Sequence, residues 1–353
     1  MSWDYRWEVE VINGDLGEIS FQDQRILITG GAGFLGSWMC DLLVEQGAEV
    51  ICVDNLASGL KSNIASLMDL ENFSFIEHDI SKPLQIEGKL DLVIHMASRA
   101  SPFEFEHYPI QILKVNTLGL WVALGIAKKH QARILYTSTS EVYGNPEVVP
   151  TPESYKGNVN SLGPRGCYDE AKRCGEAYVM AYRKQFGLDT RIARIFNTYG
   201  PRIRSDGIYG RAIPRFIDQA MNGKPITVFG DGSQSRSFTY LTDQIEGLLR
   251  LAAIEEARGC VVNIGNDKET TVLELARKVL EITGSRSEIT FRPLPKDDPL
   301  RRKPVITRAR EILDWRPKVS LEEGLARTIE WYKSADSWKA EGQDAYQSAD
   351  QCG

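Results

Sequence analysis

This sequence predicts a doubly wound α/β architecture: a parallel sheet covered by helices, followed by a smaller α/β lobe. Three observations carry that prediction. From residue 24 to about 200, short apolar runs alternate with helical patterns; strands alternating with helices make a parallel sheet buried on both faces. The first run, Ile26-Leu27-Ile28, passes through Thr29 into Gly30, Gly33 and Gly36. The second, Glu49-Val-Ile-Cys-Val-Asp54, ends in an acid 18 residues after Gly36.

Taken in order, residues 1–23 come first. Trp3, Tyr5, Trp7, Val9 and Val11 alternate mostly with acids, which predicts an arm that adds an edge strand or packs on the surface. Residues 24–200 follow as the nucleotide-binding domain, with strands at 25–29, 49–53, 73–76, 91–95, 133–137 and 191–195. Helices fall between them, including one around 109–129 and one around 166–186. Beyond Pro201 the polar, glycine-containing segment 202–211 reads as a loop. A helix near 212–222, a strand and turn at 225–232, and amphipathic helices at 271–284 and 320–334 build a discontinuous substrate lobe over 201–334. Segments near 237–265 rejoin the first domain, and 335–353 form a polar tail that frays.

The first turn has a chemical reading. Phe34, Leu35, Met39, Leu42 and Leu43 recur at helical spacing after the glycines, so the unit is strand, tight turn, helix. Glycine lets the backbone approach a pyrophosphate, and the N–H groups of a helix start point at its charge. The Asp54 carboxylate can accept hydrogen bonds from ribose hydroxyls and repels a 2′-phosphate, which selects NAD over NADP.

The 353 residues suffice for two domains, and 42% apolar with 25% charged residues is ordinary for a globular chain. A net charge of −6, with no basic cluster interleaved with aromatics, argues against nucleic acid as a partner. Six scattered cysteines form no CxxC and no metal-ligand spacing, so no metal site is expected. With no signal-like N-terminus, they suggest reduced thiols in the cytoplasm. No uninterrupted apolar run approaches the roughly 18 residues of a membrane helix, so no membrane association is expected.

Two further motifs carry chemistry. Tyr168-Asp-Glu-Ala-Lys172 places a phenol and an ammonium on one helix face, and a nearby cation favours tyrosinate, making a usable base. Tyr136-Thr-Ser-Thr-Ser-Glu-Val-Tyr-Gly144 begins in a strand and leaves hydroxyls and a carboxylate at its carboxyl end. Ligands bind there in open α/β sheets.

These three motifs, in this order, resemble the extended short-chain dehydrogenase/reductase family that modifies nucleotide sugars. The resemblance spans about 24–333 and includes Asp79-Ile80, His95-Met-Ala-Ser98, Asn116-Thr-Leu-Gly119, Arg194-Ile-Phe-Asn-Thr-Tyr-Gly-Pro201, Gly232-Ser-Gln-Ser-Arg-Ser-Phe238 and Arg301-Arg-Lys-Pro304. It implies a Rossmann-type fold, a homodimer formed through the helices around 109–129 and 166–186, and an NAD that stays bound through each turnover. Within the family, 4,6-dehydratases carry Thr-Asp-Glu where this chain has Thr139-Ser140-Glu141, and galactose-type 4-epimerases lack the carboxylate. Ser-Thr-Ser-Glu-Val-Tyr-Gly, Gly163-Pro-Arg-Gly-Cys-Tyr-Asp-Glu170 and Asp297-Asp-Pro-Leu-Arg-Arg-Lys-Pro304 are similar to the UDP-glucuronate decarboxylases, or UDP-xylose synthases.

The resemblance implies residue roles. Thr139 and Tyr168 meet the sugar C4 oxygen, with Lys172 supporting the tyrosine. Glu141 and Arg302 place the sugar carboxylate, and either Glu141 or Ser140 relays a proton to C5. Gly30, Gly33, Phe34 and Leu35 hold the dinucleotide pyrophosphate side, and Asp54 and Asn55 its ribose. Asp79 and Ile80 flank adenine, Ala97 lies beside the cofactor, and Tyr168 and Lys172 complete that site. Asn197 and Arg236 hold the diphosphate of a UDP-sugar substrate, and Val228 with Phe229 match the strand beside uracil, a pattern that core packing explains equally well. A nucleotide-sugar 4-epimerase is the alternative activity; a dehydratase and a non-catalytic NAD-binding scaffold follow it.

Two segments depart from the subfamily. Arg99-Ala-Ser-Pro-Phe-Glu-Phe105 replaces a tyrosine with phenylalanine and adds the Arg99 charge. Arg99 either supplements Arg302 at a carboxylate or points to solvent. The loop at 202–211 is longer than usual. Both lie near the expected sugar and base, so they leave the exact sugar and nucleotide open.

Overall fold

Seven parallel strands form the central sheet of this computed structural model, which describes residues 4–204, 211–295 and 297–334. They are β1 (Arg25–Thr29), β2 (Glu49–Asp54), β3 (Phe73–Glu77), β4 (Leu92–His95), β5 (Arg133–Thr139), β6 (Thr190–Ile195) and β7 (Val261–Ile264). Their order is β7-β6-β5-β4-β1-β2-β3, and every pairing is parallel. The order reverses between β1 and β4, which opens a crevice at the carboxyl ends of the strands. Each expected strand is present within one or two residues at either end. β5 runs on to Thr139, so that hydroxyl leaves the sheet from its last strand residue. β7 comes from the segment expected to rejoin the domain.

Strand side chains alternate between two cores. Leu27, Ile51, Val53 and Val93 pack on one face, and Ile26, Ile28, Val50, Leu92 and Ile94 on the other. Burying each such side chain stabilises by roughly 1.5–3 kcal/mol. The main helices are α1 (Arg6–Leu16), α2 (Phe34–Glu45), α3 (Leu120–His130), α4 (Gly166–Phe186) and α5 (Leu241–Ala253).

The N-terminal arm departs from one of its two expected forms. It is helical, not an edge strand: Glu8, Val9, Ile12 and Leu16 are its buried residues, a spacing of three to four. That face packs on α5, and the buried Glu8 carboxylate accepts from Arg327 Nε (2.7 Å) and the Tyr240 hydroxyl (2.8 Å). The two-residue alternation of aromatics was overridden by this tertiary partner.

A second difference concerns residues 109–130. The helical run Pro109–His130 (22 residues) is long and apolar enough to cross a membrane, although polar residues interrupt it. It comprises Pro109–Lys114, a π-turn at Val115–Gly119, and α3. Its inner residues, among them Leu120, Ala123, Leu124 and Ala127, are buried. An outer row remains partly exposed at Ile110, Leu113, Leu118 and Trp121. Cys40, Cys52, Cys167, Cys174 and Cys260 are free thiols.

In the substrate lobe, helices Ala212–Met221 and Val272–Thr283 pack together beside the parallel strand pair Ile226–Phe229 and Ile289–Arg292. A three-stranded ribbon sets Ser235–Arg236 between Thr270–Thr271 and Arg301–Arg302. Its register aligns Arg302 with Arg236, so two expected substrate residues sit side by side. Residues 205–210 of the expected loop, and the tail from 335, lie outside the described residues.

Candidate active site

The sheet opens at the carboxyl ends of β1, β2, β4, β5 and β6 into a cavity of about 1410 Å³, whose far wall is the substrate lobe. Its dinucleotide half begins at Gly30, where φ is +75° and a Cβ would lie 2.7 Å from the Ala97 backbone. At Gly36 a Cβ would lie 2.0 Å from the Gly30 carbonyl oxygen. Only glycine permits both approaches, and the turn exposes the N–H groups at the start of α2. Asp54 Oδ2 accepts from the Ala32 N–H (3.0 Å) and Oδ1 from the Leu56 N–H (2.8 Å). The carboxylate is therefore locked at the end of β2.

Gly33, Phe34, Leu35, Asn55, Asp79, Ile80 and Ala97 line the same half. The narrow glycine turn, the fixed acid and the apolar Ile80 wall match what an adenine dinucleotide needs for pyrophosphate, ribose and base.

The reacting half is built on β5 and α4. Thr139 accepts a bond from the Glu141 N–H (3.2 Å) through its hydroxyl, capping the short helical turn Ser140–Tyr143. Tyr168, in the first turn of α4, is buried and hydrogen-bonded to Thr139. The Phe105 ring stacks on it at 4.8 Å. Lys172, one turn later, donates to the Thr137 carbonyl oxygen at 2.8 Å.

The electrostatics of the pair differ from expectation. Burial pushes the Tyr168 phenol well above its ordinary value, and the Glu141 charge adds to that, outweighing the Thr139 hydrogen bond. Burial likewise pulls Lys172 down to about 7, against the attraction of Glu176. Lys172 Nζ is 5.9 Å from the Tyr168 ring centroid. Desolvation, which favours the neutral form of both groups, dominates here.

Glu141 behaves in the opposite way. Burial would raise its pKa, but the Arg165 and Arg302 guanidinium groups bind its carboxylate directly and hold it at about 2. Arg302 uses both terminal nitrogens. Arg236 sits alongside, donating to Asp298 Oδ2 (2.9 Å) and the Ser235 carbonyl (2.9 Å). Asn197 Nδ2 is buried without a hydrogen-bond partner and Asn197 lines the cavity, leaving a donor for a ligand to satisfy.

Ser140 also lines the cavity. Of the residues expected to bind or react, only Val228 has its side chain elsewhere. It is fully buried in the core, while its neighbour Phe229 lines the cavity beneath the Arg215 guanidinium, 4.9 Å from the ring centroid. Strand alternation places one outward and the other inward.

Residues 26–265 match the NAD dependent epimerase/dehydratase family. The chain belongs to that family. It is 48% identical over 309 residues to UDP-glucuronic acid decarboxylase 1 of Danio rerio, covering 88% of this chain and 72% of that one. Among solved structures it is similar to UDP-glucose 4-epimerase with UDP-glucose from Thermotoga maritima (32% identity, TM-score 0.79, covering 88% of this chain and 99% of that one). It is also similar to the NAD-bound dTDP-glucose 4,6-dehydratase DesIV from Streptomyces venezuelae (28% identity, TM-score 0.80, covering 89% and 98%). As a member of this family the chain is an NAD-dependent enzyme.

Within that family fold, sequence reasoning missed several site residues. Arg165 and Asp298 lie inside the motifs at 163–170 and 297–304, whose resemblance implies no role for either. Arg211, donating to the Ala100 carbonyl (3.0 Å), and Arg215, donating to the Thr227 carbonyl (3.2 Å), have no local signal. Arg99 neither joins Arg302 nor faces bulk solvent. It bonds Glu104 (3.1 Å) and lies 4.4 Å over the Tyr108 ring.

Proposed function

We propose that the chain converts UDP-glucuronate to UDP-xylose and carbon dioxide, holding NAD throughout. The observation that carries this reading is the ionised Glu141 held between two arginines beside the Thr139–Tyr168 hydroxyl pair. A neutral hexose needs no such concentration of guanidinium groups; a uronate with a diphosphate does. The decarboxylase relative at 48% identity supports the same substrate.

When bound, NAD supplies the hydride acceptor and later the hydride donor at C4, and a cationic ring. Gly30, Gly33, Asp54 and Ile80 would hold it. The remaining chemistry belongs to this chain's side chains. Tyr168 receives the proton from the C4 hydroxyl, and positive charge nearby offsets the burial that keeps the phenol neutral in the ligand-free site. The product is a 4-keto acid with its carboxylate on C5, β to the new carbonyl. The guanidinium groups that flank Glu141, Arg165 and Arg302, place that carboxylate. As the C5–C6 bond breaks, its electron pair moves onto the C4 oxygen, where the Thr139 and Tyr168 hydroxyls stabilise the enolate. A proton drawn from water then reaches C5, relayed by either Glu141 or Ser140, and C4 is reduced as Tyr168 returns its proton.

Two copies pair through the partly exposed apolar row Ile110, Leu113, Leu118 and Trp121 and the adjoining face of α4, where Met180 is also exposed. Sedimentation of Trp121→Glu against the parent tests this; a shift from dimer to monomer is expected.

The function is tested by incubating the protein with UDP-glucuronate and weighing the product. A pentose product supports decarboxylation, whereas an isomer of unchanged mass identifies a 4-epimerase.

A further inference from the structure

Arg165 and Arg302 bind Glu141 from different sides, and they are not equivalent. Both terminal nitrogens of Arg302 go to the carboxylate, and its Nε is buried without a partner. Arg165 commits only Nη2 to Glu141. Its Nη1 is 3.9 Å from Asp298 Oδ1 and its Nε 3.9 Å from Asp169 Oδ2, both beyond hydrogen-bond range. Two of its nitrogens therefore lack a hydrogen bond. The Arg165 side chain is 14% exposed, against 4% for Arg302, so it is the guanidinium a ligand in the cavity can reach.

Its position also suits a uronate. The Phe105 ring lies under the guanidinium, 5.4 Å away, and stacks on Tyr168 at 4.8 Å. Arg165 is thus fixed one ring away from the phenol that handles C4, and a uronate carboxyl is attached to the adjacent carbon, C5. A site with Arg302 alone would have its charge consumed by Glu141; Arg165 supplies the second positive charge.

We propose that Arg165, rather than Arg302, receives the sugar carboxylate of the substrate, and that Arg302 is a positioning residue that fixes Glu141. This rests on the uronate reading given above. It makes Arg165 the residue that distinguishes an acidic from a neutral nucleotide sugar.

The test uses the NAD-loaded, full-length protein carrying Tyr168→Phe, so that UDP-glucuronate binds without turnover. Affinities for UDP-glucuronate and for UDP-xylose, which lacks the carboxylate, are measured by calorimetry with Arg165→Gln, Arg165→Lys and Arg302→Lys. Arg165→Gln is expected to weaken UDP-glucuronate about tenfold or more and UDP-xylose less than about twofold. Arg165→Lys keeps the charge among Glu141, Asp169 and Asp298, so it reads the same ratio if Arg165→Gln does not fold. It is expected to lower the ratio by about threefold or more, because an ammonium is a point charge without the planar fork. Arg302→Lys is expected to leave the ratio unchanged. If the Arg165 variants preserve the ratio, or if Arg302→Lys alone abolishes it, the proposal is overturned. Carbon dioxide release by the unsubstituted protein separately tests the uronate reading, so the two failures are distinguishable.

Discussion

Arg302 grips the Glu141 carboxylate with both terminal nitrogens across 161 residues of sequence. Glu141 sits in the short helical turn that follows β5 of the dinucleotide domain, and Arg302 sits on a ribbon of the substrate lobe. The ion pair therefore joins the two lobes that wall the cavity.

Removing that charge has two expected consequences. Glu141→Gln leaves Arg165 and Arg302 without their shared partner, which costs about 3 kcal/mol of stability and lowers decarboxylation by about a hundredfold or more. The pH dependence follows from linkage. The two guanidinium groups hold the folded-state pKa at about 2, below the ordinary value of 4.5. The stabilisation is thus complete above about 4.5 and lost as pH falls toward 2. Melting temperature measured against pH should show that acid-side loss in the parent and a weaker one in Glu141→Gln.

Tyr168→Phe deletes the phenol hydrogen-bonded to Thr139. Turnover is expected to fall by about a hundredfold or more, with bound dinucleotide and melting temperature nearly unchanged. Loss of the dinucleotide along with the activity would instead assign Tyr168 to cofactor retention.

Gly36→Ala tests the turn at the start of α2. Its Cβ would fall 2.0 Å from the Gly30 carbonyl oxygen, so the turn must shift. A destabilisation of about 1–3 kcal/mol and a purified protein depleted of dinucleotide are expected, both measurable from one thermal melt and one absorbance spectrum.

Asp169 gives a pH signature to substrate binding. Burial first, and then the Glu141 charge, raise its carboxyl to about 7 against the pull of Arg165 and Arg302. Below that pH Asp169 is neutral and the positive charge of Arg165 is less compensated; above it the carboxylate competes. KM for UDP-glucuronate is expected to rise as pH increases through 7, and Asp169→Asn to flatten that rise.

Much of the fold was legible because apolar runs alternating with helical patterns mark the strands of a parallel sheet, and the glycine turn has few other uses beside Asp54. The cofactor half was legible for the same reason: its residues are local to the strand ends. The substrate half was less so. Arg165, Arg211, Arg215 and Asp298 gain their meaning from partners far along the chain, and no periodicity marks them. Val228 shows the converse: its strand was correctly placed, but strand alternation turned its neighbour Phe229 toward the cavity. The N-terminal helix was hidden because a two-residue aromatic alternation coexists with the buried spacing Glu8, Ile12 and Leu16, and only docking on α5 selects the helix.

The central claim is a decarboxylation enclosed by hydride removal and return at the same carbon. It is tested most directly by the mass of the product formed from UDP-glucuronate carrying deuterium at C4. The expected product is a pentose that has lost the carboxyl group and kept the deuterium. A product that retains the carboxyl group, or one that has exchanged the deuterium for hydrogen, would contradict it.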